Sequence, residues 1–224
     1  MADGNDLQNT PDWYASRLFR FTSSELGKLM TEPRSKADKE AGRLSGTAEE
    51  YIMDKIAEYL TDGSCLDYKK NDTKEIRWGN TYEEDARKEY EKVTSVNVEL
   101  VGFIGWGSDF GGSPDGLVGE DGLIEIKCPY NSTTHAHYLL MKTSEDLRKL
   151  KPEYYAQIQG NLLVTGRIWA DFVSYDPRVQ NRRLSLKVLR IPRDEEFIER
   201  AKIAIERGAQ LKNNHLATIA QSLL

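Results

Sequence analysis

Cysteine is scarce in this chain: Cys65 and Cys128 are the only two in 224 residues. That excludes a disulfide framework and a four-thiolate zinc or iron-sulfur cluster, and it favours a reduced, cytosolic setting. Long apolar runs are missing as well. Nowhere do about 18 apolar residues follow one another, so no membrane-spanning helix is expected. The opening Met-Ala-Asp-Gly-Asn-Asp has neither the basic flank nor the apolar stretch of a signal peptide. Basic charge is short too, since 31 Lys and Arg against 36 Asp and Glu give a net charge of −5. A surface built to grip phosphates throughout would carry the opposite sign. Any nucleic-acid contact is therefore expected in a locally basic groove on an acidic body. Pro/Ser-rich linkers, internal repeats and low-complexity tracts are absent. With 39% hydrophobic and 30% charged residues, residues 12–224 read as one domain around a sizeable core, and residues 1–11 as a disordered N-terminus.

What is present centres on Ser113 to Pro129, which reads as a strand, a Gly-rich turn and a second strand. Alternation puts Ile124, Ile126 and Cys128 on one face of the second strand, so Glu125 and Lys127 share the other. Asp115, on the neighbouring strand, meets them there. A scissile phosphodiester is anionic and repels hydroxide, so its hydrolysis needs hard cations on oxygen ligands, which also acidify the attacking water. Asp115 and Glu125 supply such oxygens, with the Ile126 carbonyl in reach. Lys127 binds no metal; its ammonium orients the water or stabilises charge developing on the phosphate.

Asp115 followed by Glu125-x-Lys127 resembles the motif of the PD-(D/E)xK nuclease superfamily. Ser-Pro-Asp-Gly with Glu-Ile-Lys-Cys-Pro resembles, more narrowly, the phage lambda exonuclease family of recombination exonucleases. Further similar stretches run from Trp13 to Arg178. They are Trp13 with Arg17, Thr22, Ser24 and Glu25; Pro33-Arg34-Ser35; Trp78-Gly79 with Tyr82-Glu83 and Asp85-Ala86; Tyr154 with Gln157; and Tyr175-Asp176-Pro177-Arg178.

The resemblance implies roles for these residues. Arg17 and Ser24, with Ser113 beside them, bind a terminal 5′-phosphate, and a helix start with a hydroxyl backed by a guanidinium is a sound anion site on physical grounds. Glu83 completes the acidic site, and Gln157 hydrogen-bonds the phosphate or the water near Lys127. Arg34 and Tyr154 contact DNA. Independently of the resemblance, Ile76 falls off the helix face that Tyr82 marks and, if exposed, would serve as an apolar wedge at the duplex end.

The order of helices and strands implies an α/β fold layered around a mixed sheet. The resemblance makes it restriction-endonuclease-like, a central mixed β-sheet flanked by helices with the acidic site at the sheet edge. It also implies a 5′-to-3′ exonuclease on double-stranded DNA that leaves a 3′ single strand for recombination by annealing. Two Mg2+ per active site are implied, with Mn2+ accepted by the same oxygens. So are a trimeric ring, a phage single-strand annealing protein as partner, and the cytoplasm of a bacterial host. The rival readings are a restriction or repair endonuclease of the same superfamily and an inactive DNA scaffold.

Capping boxes are expected at Thr22/Glu25 and Thr47/Glu50. A helix over 47–60 should bury Ile52, Ile56 and Leu60, and a helix over 74–93 should bury Tyr82, Ala86 and Tyr90 with Glu83 beside that face. Strands are expected over 96–104, 106–110, 114–118, 168–175 and 184–191, and helices over 152–165 and from Asp194 onward. His135 and His137, two apart on a helix, diverge and make no zinc site.

Overall fold

The computed structural model describes Gln8, residues 10–66 and residues 73–222. The disorder expected of residues 1–11 falls mostly outside these. The chain starts with helix α1 (Pro11–Arg17), strand β1 (Phe21–Thr22) and the short helices α2 (Leu26–Leu29) and α3 (Lys36–Glu40). Two long helices follow, α4 (Gly46–Leu60) and α5 (Lys74–Thr94). Then come β2 (Val98–Glu99), β3 (Ile104–Trp106), β4 (Phe110–Gly112), β5 (Gly116–Val118) and β6 (Gly122–Lys127). The last part holds α6 (Ser132–Leu140), α7 (Ser144–Leu150), α8 (Pro152–Thr165), β7 (Trp169–Tyr175), β8 (Leu186–Pro192) and α9 (Glu195–Gln221).

Five strands form a mixed sheet in the order β2-β5-β6-β7-β8, in which only the β6/β7 pair is parallel. Its two faces are both covered. Leu123, Ala170 and Phe172 face a large core shared with α4, α8 and α9. Ile124, Ile126 and Val173 face a smaller one closed by Ala86 and Tyr90 of α5. The alternation read from sequence is thus the one the sheet uses. A second sheet, β1-β4-β3, stands against α8.

Some local expectations are corrected. Thr22 makes no side-chain cap, and residues Ser23–Glu25 form a 3-10 turn in which Glu25 pairs with Lys28 instead. Ser45, not Thr47, caps α4 by accepting from the Ala48 amide, because Ser45 has the extended backbone that a cap requires. Leu60, in the last turn of α4, is exposed rather than buried. Leu184 belongs to a 3-10 turn before β8. The acidic site lies on β6, the middle strand, and not at the sheet edge.

Candidate active site

Proline opens the site. β5 pairs with β6 through Gly116 and Ile124. The ladder ends there, with the Asp115 amide donating to the Ile124 carbonyl at 3.2 Å, and Pro114 just before it has no N–H to give. The strands part, and the Asp115 carboxylate accepts the free Ile126 amide at 2.6 Å. Glu125 next to it is fully buried. Both of its oxygens are held: Lys127 Nζ donates to Oε1 at 2.6 Å and Asn161 Nδ2 to Oε2 at 3.0 Å. Lys127 also reaches Gln157 Oε1 at 3.4 Å and lies 4.9 Å from the Tyr154 ring centre. Tyr154, Gln157 and Asn161 recur at three- and four-residue spacing, so one face of α8 walls the site.

Apart from Tyr154, which lines the adjoining cavity, these groups line a cavity of about 190 Å³ together with Glu83 from α5, and its other end holds Arg17, Ser24 and Ser113. The cavity thus gathers most of the residues singled out in the sequence. Arg34 does not line it; it stands exposed between α2 and α3. Ile76 is 42% exposed on the first turn of α5 and borders the neighbouring cavity. His135 is buried between Ser174 Oγ and the Leu184 carbonyl, each at 2.8 Å. It is a core histidine.

The charge is unbalanced. Burial raises the Asp115 pKa well above the usual carboxylate range, and the nearby Glu125 and Glu83 raise it further. Burial, then Glu125, raises that of Glu83. For Lys127 burial works the other way, but Glu125 and Asp115 outweigh it and its pKa lies above the ordinary value. Three carboxylates and one ammonium leave an excess of negative charge that a cation would relieve. The donors are all oxygen, from Asp115, Glu125, Glu83 and the Ile126 carbonyl, which suits Mg2+ or Mn2+. Among the described residues, no three His, Cys, Asp or Glu side chains are grouped so as to hold an ion by themselves. A metal here would therefore draw on the carbonyl and on water as well.

At the opposite end the charge is positive. The Arg17 guanidinium lies 4.3 Å over the Trp13 ring, and it donates to Ser113 Oγ at 3.5 Å. Trp13 Nε1 donates to the same oxygen at 2.9 Å. Burial lowers the Arg17 pKa, yet a guanidinium stays charged. No carboxylate among the described residues forms an ion pair with it, which leaves its charge available to an anion in the cavity.

Asn161 is the site residue that sequence reading passes over. Its only signal is its place one turn after Gln157. It is fully buried, holds Glu125, and leaves its Oδ1 without a partner among the described residues. Gly112 makes room for it, since a Cβ there would stand 2.4 Å from Asn161 Oδ1 and 2.3 Å from Ser23 Oγ.

Comparison with known proteins places this geometry. Residues 12–168 match the YqaJ-like viral recombinase domain. The chain is 31% identical to an alkaline exonuclease from Laribacter hongkongensis, over 96% of this chain and all of that one, with a TM-score of 0.77. The same enzyme in complex with dAMP gives the same values. A phage related exonuclease from Haemophilus somnus 129PT shares the fold, with a TM-score of 0.71 at 22% identity, over 89% of this chain and 96% of that one. A search of curated proteins gives no match. The helix-flanked mixed sheet is thus the restriction-endonuclease-like fold expected from the sequence. By the domain match across most of its length, and by likeness to an alkaline exonuclease over nearly all of it, the chain belongs to the YqaJ-like viral recombinase family, the lambda exonuclease group within the PD-(D/E)xK superfamily.

Proposed function

We propose that this protein is a metal-dependent deoxyribonuclease that removes nucleotides from the 5′-ended strand of duplex DNA and leaves a 3′ single strand. The observation that carries this reading is a single cavity with an acidic, lysine-bearing end and a cationic, hydroxyl-bearing end. Asp115, Glu125 and Glu83 with the Ile126 carbonyl would hold hard divalent cations, Mg2+ or Mn2+, two per site. Such cations would supply charge to neutralise the phosphate and to acidify the attacking water. Lys127, kept charged by Glu125 and Asp115, orients that water and stabilises charge on the phosphate oxygens. Gln157 holds the Lys127 ammonium in place and hydrogen-bonds the same oxygens. Asn161 fixes the Glu125 carboxylate, so the ligand is set before substrate arrives.

Arg17, Ser24 and Ser113 bind the terminal 5′-phosphate, which carries more charge and exposes more oxygens than an internal diester. Polarity follows: with the phosphate anchored there, the next diester lies toward Lys127. The product is then a 5′-mononucleotide, and the kinship with an exonuclease seen in complex with dAMP supports that assignment. Family membership supports the remaining proposals: a trimeric ring around the duplex, Arg34 and Ile76 as DNA contacts, a phage single-strand annealing protein that takes up the exposed strand, and action in the cytoplasm of a bacterial host. No helix among the described residues is long and apolar enough to cross a membrane.

The test is digestion of linear and covalently closed circular duplex by the wild type and by Lys127→Ala. The expected result is loss of linear DNA only, and only with the wild type. Cutting of the closed circle would make the protein an endonuclease, and no hydrolysis of either would make it a scaffold.

A further inference from the structure

At Lys127 the catalytic cavity meets a second one of about 600 Å³, and the two share Glu83, Ile126 and Lys127. With a 5′-phosphate at Arg17 and the scissile phosphate at Lys127, the strand has to continue into this second cavity. Its aromatic wall is firmly braced. Tyr130, three residues after Lys127, lines it and is 43% exposed as a residue. Trp78, on the same helix as Glu83, packs edge-on against that ring at 5.7 Å. The Arg178 guanidinium covers Trp78 at 4.3 Å and donates to the carbonyls of Pro129 at 3.3 Å and Tyr130 at 2.9 Å. Arg178 is itself held by the buried Asp176, at 2.8 and 3.0 Å. Asp176 and Arg178 are the two charged residues of the Tyr-Asp-Pro-Arg stretch, and neither lines the catalytic cavity.

The other two tyrosines of the cavity are already occupied: Tyr138 is buried, edge-on to Phe172 at 5.2 Å, and Tyr154 is covered on one face. Phe172 stacks on Tyr154 with centroids 6.4 Å apart and planes 27° apart, and the Lys127 and Lys151 ammoniums lie 4.9 and 5.6 Å from its ring. Tyr130 is the ring left open to a ligand. Aromatic side chains hold single strands by stacking on base faces, which every base offers, and this suits an enzyme that must accept any sequence.

We propose that Tyr130 stacks on the nucleobase immediately 3′ of the scissile phosphate, with Trp78 and Arg178 as positioning residues that hold its ring. This stacking site presupposes the exonuclease reading and adds a subsite to it.

The probe is a 5′-phosphorylated duplex with 2-aminopurine as the second nucleotide from the 5′ end, in Ca2+ so that the strand stays uncut. A matched duplex carries the probe far from the end. Stacking quenches 2-aminopurine, so wild type and Tyr130→Phe should quench the end-proximal probe alone. Tyr130→Ala should leave it bright and raise the half-saturating DNA concentration about tenfold in Mg2+ hydrolysis, with kcat nearly unchanged. Arg178→Ala should fall between the two. Circular dichroism confirms that each variant is folded, and Tyr130→Phe separates loss of the ring from loss of the hydroxyl. Quenching and half-saturation in Tyr130→Ala equal to wild type would overturn the stacking site while hydrolysis stood. A wild type that spared linear duplex would instead defeat the exonuclease reading.

Discussion

Glu125 has no contact with solvent, and Lys127 and Asn161 hold its two oxygens. In the fold, Glu125→Ala would strand the half-buried Lys127 ammonium and the buried Asn161 amide, the latter at about 1–3 kcal/mol if left unpaired. Glu125→Gln is the cleaner variant. It should keep the shape and most of the stability yet lower hydrolysis at least about a hundredfold, as Lys127→Ala should. Initial rates and urea melts on the same preparations check both, and a Glu125→Gln enzyme of normal rate would remove it from the site. Asp115 titrates differently. Burial, with Glu125 and Glu83, holds its folded-state pKa above that of an exposed aspartate. Such a group stabilises the fold fully below its unfolded pKa of about 4, and that stability is lost as pH rises through the folded-state value. The metal-free wild type should therefore lose melting temperature relative to Asp115→Asn, which does not titrate, as pH rises above about 4. Mg2+ at the higher pH should raise the wild type and leave the variant unmoved. Parallel pH slopes for the two proteins would contradict the crowded-carboxylate picture.

Elements whose signals are local were legible in the sequence, and those that depend on distant partners were not. Helix α8 runs from Pro152 to Thr165 as expected, because a proline in its first turn and Gly166 after its last turn, at φ 71°, set both ends. The β6 alternation was readable because a one-residue slip would bury Glu125 and Lys127 in the wrong core. The capping boxes misled because a Ser or Thr caps only where its backbone is extended and its side chain is free, and tertiary packing decides that. The second sheet escaped altogether, since β1 is two residues long and pairs with β4 almost ninety positions away. That sheet shapes the site through Gly112, which leaves room for Asn161 Oδ1 and Ser23 Oγ. Gly112→Ala should destabilise the protein by about 1–3 kcal/mol, as overpacking does. It should also slow hydrolysis by shifting Asn161 away from Glu125. Chemical denaturation and turnover measured together test it, and a stable, fully active Gly112→Ala would mean that Asn161 does not set Glu125.

On the scale of the whole molecule, an acidic chain of net charge −5 has to hold a polyanion. Its cations Arg17, Lys127 and Lys151 lie along the adjoining cavities that the strand is proposed to follow. A ring with these faces turned inward would keep DNA in place without a basic exterior. Light scattering should then give a mass near three times the 25.5 kDa of the chain. A monomer that degraded long DNA in one encounter would exclude the ring. The central claim is that one cavity both anchors a 5′-phosphate and cuts the next diester. Paired initial rates on linear duplexes ending in 5′-phosphate or 5′-hydroxyl, for wild type and Arg17→Ala, test it most directly. The wild type should initiate faster on the phosphorylated end, and Arg17→Ala should show near-equal, slower rates on both ends. An undiminished preference in Arg17→Ala would contradict it.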